Sequence, residues 1–220
     1  MSAGLATPVE QLTEAADSRW LATWVTGPTE PEGSGLSVGA QAPDLTLIDD
    51  QGNQRTLAEF WSGQPALVMF WRHFGCGCGA DRATRLKAEW AQYVEAGLNP
   101  VIVAQGEPAR AAKYRAQQHL ACPVLCDPGH DAYRAYGLGQ WTVERVLFDA
   151  PAEYWSHPHE LGASFQESRR DEGRPLVDDP WRAVGEFVIG TDGRVRLPHL
   201  YQSCEDFPDP RVLTAAARLS

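Results

Sequence analysis

The sequence predicts an α/β protein with a central mixed sheet flanked by helices, and three features of the chain support this fold class. Continuous apolar runs at 66–71 and 101–104 are typical of parallel strands that are buried on both faces. Segments with helical spacing follow these runs, and an alternation of strand and helix requires a parallel sheet with right-handed crossovers. Later in the chain, a Thr-Asp-Gly turn at 191–193 joins two further strand-like segments and predicts an antiparallel hairpin.

The elements follow one another as strand, helix, strand, helix and strand, then an insertion, a hairpin and a last helix. Strands are predicted at 45–47, 66–71, 101–104, 123–125, 186–189 and 194–197. Helices are predicted at 8–24, 57–61, 81–95, 108–119, 132–136 and 210–219. Apolar residues at helical spacing support the longer helices, and Thr56 is a suitable N-cap for the helix at 57–61. A parallel unit followed by an antiparallel hairpin and a helix is a thioredoxin-like architecture.

The chain is expected to consist of a main domain with two additions. Residues 1–35 form an N-terminal helical extension and linker, because the segment GPTEPEGSG has the composition of a loop. Residues 36–220 form the thioredoxin-like domain. Within it, residues 139–182 are rich in Trp, His and acidic side chains and interrupt the alternation, so we predict an insertion before the C-terminal β-hairpin.

The charge of the chain argues against some classes of partner. The 220 residues carry a formal net charge of -10, whereas binding of nucleic acid or of an anionic membrane needs a basic surface. No apolar run reaches about 18 residues, so we expect no transmembrane helix. The first residues lack the basic and apolar segments of a secretory signal, so we expect a cytoplasmic protein. Self-association into a homodimer stays open.

Five cysteines give the first indication of function: Cys76, Cys78, Cys122, Cys126 and Cys204. An odd number at uneven spacing does not resemble a secreted disulfide framework, and clustered cysteines in a reducing compartment indicate redox chemistry or metal binding. Active residues of open α/β sheets collect beyond the carboxyl ends of the parallel strands. Cys76, Cys78 and Cys126 each follow such a strand and are expected at that edge. Cys204 follows the hairpin and can join them, whereas Cys122 precedes its strand and should lie at the opposite edge.

The Cys76-Gly77-Cys78 turn lies between a buried strand and the start of a helix. Free backbone N–H groups and the helix dipole at such a start favour a thiolate over a thiol. Residues two apart do not face each other on a helix, so these cysteines can pair only in the turn before it. A disulfide closed across one residue is strained, and strained disulfides are readily reduced. The turn therefore predicts a labile, redox-active disulfide.

The segment FWRHFGCGCG at 70–79 resembles the Phe-x-Arg-His-Phe-Gly-Cys-x-x-Cys motif of one branch of the peroxiredoxin-like proteins, the alkyl hydroperoxide reductase/thiol-specific antioxidant (AhpC/TSA) group. Further matches are VGAQAPD at 38–44, PVLCDP at 123–128 and GEFVI at 185–189. The resemblance covers about 38–219 and implies a thioredoxin-like fold with thiol-based redox activity. The chain departs from the family at Gly79, where ordinary peroxiredoxins have the reacting cysteine, and at Val184, where many have an arginine.

Together these observations predict an oxidoreductase that acts on a small-molecule peroxide or disulfide without an organic cofactor or a metal. Cys76 is the expected attacking thiolate and Cys78 the resolving thiol. Arg72 and His73 are expected to add positive potential beside them. Cys126 or Cys204 could pass the disulfide onward, and thioredoxin or a low-molecular-weight thiol would supply the reducing equivalents.

Two other functions fit the same residues. In a metal-binding protein, Cys76 and Cys78 would hold a soft ion such as zinc or copper(I) together with Cys126 or Cys204. Alternatively, the redox fold serves a biosynthetic tailoring role or a binding role, in which the insertion roofs a substrate pocket. The aromatic residues that suggest such a roof are Trp141, Tyr154, Trp155 and Trp181.

Overall fold

A computed structural model describes residues 8–148, 150, 152 and 157–219, and within them the strands form one mixed sheet. The strands are β1 (Thr46–Asp49), β2 (Gln54–Thr56), β3 (Ala66–Phe70), β4 (Asn99–Ala104), β5 (Val124–Cys126), β6 (Gly185–Ile189) and β7 (Val195–Leu200). Their order across the sheet is β2-β1-β5-β4-β3-β6-β7. Strands β3, β4 and β5 run parallel, whereas the remaining neighbours pair antiparallel. This arrangement confirms the thioredoxin-like α/β fold that the sequence predicts.

Helices cover both faces of the sheet. They are α1 (Pro8–Thr26), α2 (Gly77–Glu95), α3 (Pro108–Gln118), α4 (Asp131–Ala135), α5 (Val143–Val146), α6 (Pro158–Asp171) and α7 (Pro210–Ala217), with a 3-10 helix at Leu57–Phe60. Successive side chains of a strand point to opposite faces. On β3, Leu67 and Met69 therefore join the layer of α2, α3 and α7. Val68 and Phe70 join the layer of α4 and the 3-10 helix, so both faces of β3 are buried.

Three elements differ from the sequence-based expectation. Helix α2 begins at Gly77, whereas the sequence places its start near residue 81. Glycine is a poor helix former, but the first turn has few internal hydrogen bonds to lose, so Gly77 and Gly79 are accommodated there. Strand β2 was not expected, because its partly exposed side chains at a sheet edge show no apolar pattern. The insertion contains two helices, α5 and α6.

The N-terminal helix and the insertion pack against each other through aromatic side chains. Trp20 of α1 lies 6.5 Å from Phe165 of α6, measured between ring centroids. Trp24 stacks on Trp181 at 4.7 Å. Leu147 and Leu176 of the insertion complete this hydrophobic cluster. The extension is therefore in contact with the rest of the chain, and the division of the chain at residue 35 stays a prediction.

The segment with linker composition is attached to the domain by polar contacts and close packing. The Gln140 side chain accepts a hydrogen bond of 2.8 Å from the backbone N–H of Glu30. The Glu30 carboxylate pairs with Arg182 at 2.6 Å. A Cβ atom built on Gly33 would lie 1.8 Å from the carbonyl oxygen of Gly137, so no larger residue fits at this position without a shift of the backbone.

Gly33→Ala should lower the free energy of unfolding by about 1–3 kcal/mol, the usual effect of overpacking, because the new methyl group collides with backbone atoms. The same change should make the segment between α1 and β1 more sensitive to limited proteolysis. Urea unfolding and timed proteolysis measure the two effects. Gly63→Ala is the matched control, since nothing lies within 4 Å of its added Cβ. Equal stability and equal cleavage of the two variants would contradict the close packing.

Candidate active site

Cys76 occupies the N-cap position of α2, a few residues beyond the end of β3. Its backbone is extended, with φ -71° and ψ 134°, and helical residues begin at Gly77. An N-cap side chain points back over the second and third helical residues, and Cys78 is the second. The two cysteines are consequently paired, with their Cα atoms 5.4 Å apart, a separation that suits a disulfide. The extended N-cap thus allows a contact that two residues inside a helix could not make.

The two cysteines differ in their access to solvent. Cys78 is 6% exposed and lies in the first turn of α2. Cys76 is only partly buried and lines two cavities, one on each side of the turn. Cys76 is therefore the sulfur that an external molecule can reach.

The first cavity at Cys76 is covered by α1 and the insertion, and we call it the roofed pocket. It has a volume of about 260 Å³. Its lining includes Trp20, Trp24, Arg72, His73, Cys76, Leu147, Phe165, Leu176 and Cys204. Trp181 belongs to the hydrophobic cluster of the roof, whereas Tyr154 and Trp155 lie outside the described residues. The helical spacing of the tryptophans in α1 was the sequence signal for an apolar face, but it did not indicate what that face covers.

The second cavity at Cys76, which we call the outer cleft, is smaller and more polar. It has a volume of about 140 Å³, and its lining includes Phe74, Cys76, Arg110, Lys113 and Tyr114. Phe74 stacks on Tyr114 at 4.6 Å and closes one side of the cleft. A Cβ atom built on Gly75 would lie 2.3 Å from the carbonyl oxygen of Pro175, so the insertion packs directly on the loop that carries the cysteines.

Arg72 adds a buried positive charge beside the turn. It is 7% exposed, and its Nη2 donates a 2.7 Å hydrogen bond to the carbonyl oxygen of Pro180. The guanidinium lies 5.2 Å from the ring centroid of Trp141. Among the described residues, its Nε and Nη1 atoms have no hydrogen-bond partner. Arg72 therefore has donors that remain free in the neighbourhood of Cys76.

His73 is neutral rather than positively charged. It is almost fully buried, and burial lowers the pKa of its imidazole well below the usual range, with a further effect from the charges of Arg72 and Arg110. The sequence suggested that His73 adds positive potential to the site. Its desolvation overrides that expectation, because the cost of burying an imidazolium was not visible in the sequence.

A buried ion cluster holds the first turns of α2 against the sheet. Arg82 on α2 donates to both carboxylate oxygens of Glu186 on β6, at 2.6 and 3.0 Å, and to Glu89 at 2.8 Å. The Tyr201 hydroxyl donates to Glu186 at 2.5 Å, and the Tyr93 hydroxyl donates to Glu89 at 2.8 Å. Each charged group thus has several partners, which a buried ion pair requires. The cluster fixes the helix start, and with it the dithiol, relative to β6.

The structure brings one further cysteine to the dithiol. Cys204, which follows β7, lines the roofed pocket together with Cys76 and a small cavity together with Cys78. Cys126 lines none of these cavities and lies in the core layer of α2 and α3, where burial raises the pKa of its thiol to about 12. Cys122 is also buried, with a pKa raised by burial to about 12. Relay roles for Cys126 and Cys204 stay predictions.

Two general searches of the described residues bear on the alternatives. Within the part of the chain that the structure describes, no group of three or more His, Cys, Asp or Glu residues is arranged to hold a metal ion. Among the same residues, no helix has the length and apolar character needed to span a bilayer.

A thioredoxin-like sheet with a cysteine pair at the start of the helix after β3 is the arrangement of the thiol-dependent oxidoreductases. Comparison with known proteins identifies the family within this class. Residues 38–154 match the model of the AhpC/TSA family, and the chain belongs to that family. It is a thiol peroxidase or oxidoreductase of the peroxiredoxin-like group.

Several proteins are similar to this chain. The thioredoxin-like protein AAED1 of Arabidopsis thaliana chloroplasts is 27% identical over 193 residues, which cover 86% of this chain and 75% of the relative. A Mycobacterium tuberculosis protein named as a peroxiredoxin is 31% identical over 118 residues, covering 51% of this chain and 74% of the relative. The crystal structure of peroxidoxin BcpB from M. tuberculosis shares the fold, with a TM-score of 0.60 at 16% identity, covering 83% of this chain and 97% of that one.

Arg82→Met should lower the free energy of unfolding by about 3–5 kcal/mol, because it leaves two buried carboxylates without their cation. Urea unfolding under reducing conditions measures the change. Arg85→Met is the control on the same helix, since Arg85 is exposed and contacts only the ring of Phe207 among the interactions described for it. We expect the control to lose about 1 kcal/mol or less. A similar small loss in both variants would contradict the role of the ion cluster.

Stability should fall as the pH decreases from about 7.5 to 5.5. In the folded chain, burial lowers the pKa of His73 well below its usual range and the pKa of His130 to about 4. The unfolded chain then binds more protons, so the stabilisation is complete above about pH 6.5 and decreases below it, by up to about 1.4 kcal/mol per pH unit for each histidine.

Urea unfolding at several pH values measures this slope. His73→Gln should reduce the slope by about half, since one of two neutral histidines no longer titrates. His119→Asn replaces an exposed histidine with a residue that tolerates its left-handed backbone, and should leave the slope unchanged. A wild-type slope in His73→Gln would show that His73 is not held neutral.

Proposed function

We propose that this protein reduces a small-molecule peroxide or disulfide through Cys76 and Cys78, with Cys76 as the nucleophile. One observation carries the proposal. Cys76 is the N-cap of α2, faces two cavities and is paired with the buried Cys78. The site thus combines an accessible sulfur, a second sulfur within reach of it, and a helix start that stabilises negative charge.

With a peroxide substrate, the Cys76 thiolate attacks one oxygen of the O–O bond. The bond breaks, the other oxygen leaves as an alcohol or water after taking up a proton, and Cys76 becomes a sulfenic acid. The Cys78 thiol then attacks the sulfenic sulfur, a disulfide forms and water is released. A reductant that supplies two thiol equivalents restores the dithiol.

With a disulfide substrate, the Cys76 thiolate attacks one sulfur and releases the other half as a thiolate. Cys78 then attacks the Cys76 sulfur of the mixed disulfide, forms the Cys76–Cys78 disulfide and releases the second half of the substrate. Arg72 favours the attacking anion in both reactions, because its charge is buried nearby. His73, being neutral, can exchange hydrogen bonds without adding a charge.

The position of the reacting sulfur differs from that of ordinary peroxiredoxins. Gly79 stands at the family's reacting position, and a Cβ atom built there would lie 3.1 Å from the Tyr114 hydroxyl. Gly79 is buried and brings no reactive group to the site. We propose that Cys76 takes over the reaction from the cap of the helix.

Other parts of the proposal concern partners. Cys204 is placed to receive the disulfide from Cys78, since both line one small cavity. Thioredoxin or a low-molecular-weight thiol would be the reductant, and the cytoplasm would be the compartment. The roofed pocket supports a specialised substrate, as expected for a tailoring enzyme, more than it supports a general scavenger of peroxide. Formation of a homodimer stays a prediction.

Cys76→Ser should abolish both peroxide consumption and disulfide exchange, because the accessible nucleophile is removed. Cys78→Ser should still react once, leaving a sulfenic acid or a mixed disulfide on Cys76 that mass spectrometry detects. Cys122→Ala is the control, since this cysteine is buried in the core away from both cavities. We expect it to retain activity within about twofold. Full activity of Cys76→Ser towards both classes of substrate would overturn the proposal.

A further inference from the structure

The roofed pocket combines an apolar wall with a single kind of charge. The wall is formed by Trp20, Trp24 and Phe165 from opposite sides of the roof, together with Leu176. Among the described residues that line the pocket, Arg72 is the one that carries a permanent charge. A pocket of this composition excludes strongly hydrated molecules but retains one strong donor of hydrogen bonds.

Arg72 differs from the other deeply buried arginines of the chain. Arg82, Arg110 and Arg182 each contact at least one carboxylate. Among the described residues, no carboxylate lies within ion-pair distance of Arg72, and its Nε and Nη1 atoms are buried without a hydrogen-bond partner. Burying an unpaired cation is costly, so a fold that pairs its other buried arginines leaves this one open for a ligand.

We propose that the roofed pocket binds an organic monoanion, whose carboxylate accepts hydrogen bonds from Arg72 and whose apolar body lies against Trp20, Trp24 and Phe165. Carboxylates fit the planar donor geometry of a guanidinium. A single negative charge is favoured because no second cation is available in the described lining. Since Cys76 lines the same pocket, the bound anion is presented to the reacting sulfur as substrate. That last step rests on the proposed function, whereas the binding itself does not.

Binding is tested on the full chain with Cys76→Ser and Cys78→Ser, so that no thiolate competes for Arg72 and no turnover occurs. The probes are 4-phenylbutyrate and its neutral primary amide, which differ in charge but hardly in shape. Isothermal titration and the fluorescence of Trp20 and Trp24 report the affinity. We expect the carboxylate to bind about 10–100-fold more tightly than the amide, as for one or two charge-assisted hydrogen bonds.

Arg72→Met in the same background should bring the two probes to equal affinity, because the charge that distinguishes them is gone. Arg211→Gln removes an exposed arginine remote from the pocket lining and should keep the preference. Equal affinities in the parent protein, or a preference that persists in Arg72→Met, would overturn the proposal.

Stability without ligand gives an independent measurement. If Arg72 is retained for a ligand, Arg72→Met should unfold at the same or a higher urea concentration, because an unpaired buried charge is replaced by an apolar side chain. If Arg72 instead serves the fold through Pro180 and Trp141, the variant should unfold at a clearly lower concentration or fail to fold. Either of the latter results counts against the proposal.

Turnover separates this inference from the proposed function. In wild-type protein, 4-phenylbutyrate should compete with a peroxide for Cys76, since both need the roofed pocket. Thiol activity that depends on Cys76, without carboxylate preference, would refute the anion site alone. Carboxylate binding without any thiol activity in the wild type would refute the proposed function and the role of the anion as substrate, but not the anion site.

Discussion

Arg82 on α2 contacts two carboxylates, Glu186 on β6 and Glu89 on its own helix, in a region from which water is excluded. Such a group of charges is tolerated only when the surrounding backbone holds all of its hydrogen bonds in place. Strand β6 is the neighbour of β3, and α2 begins immediately after Cys76. The ion cluster therefore fixes the orientation of the helix start, and the geometry of the cysteine pair depends on it.

The parts of the fold that could be predicted are those with a local cause. Strands β3 and β4 are buried on both faces, and this requires the continuous apolar runs that mark them in the sequence. The Thr-Asp-Gly turn similarly predicts the β6–β7 hairpin. The edge of the sheet at which Cys76 and Cys78 lie follows from the direction of the parallel strands. The start of α2 was missed because its first turn contains two glycines, which usually indicate a loop.

Features with a distant cause could not be predicted. The tryptophans of α1 indicate an apolar face, but the surface that they cover belongs to the insertion far along the chain. The neutral state of His73 depends on its burial. Cys126 does end a parallel strand, yet its side chain points into the layer of α2 and α3, since the face of a strand changes with every residue. Sequence reasoning gave the edge of the sheet correctly but not the layer.

Cys76 separates the roofed pocket from the outer cleft, so a single sulfur forms part of the wall of both. A molecule in the pocket and a molecule in the cleft approach this sulfur from different directions. The oxidising and the reducing partner of the cycle then need not share one entrance. Selection of each partner can be determined by a different set of side chains, aromatic in the pocket and cationic in the cleft. The wall position of Cys76 thus allows the two half-reactions to evolve their specificities independently.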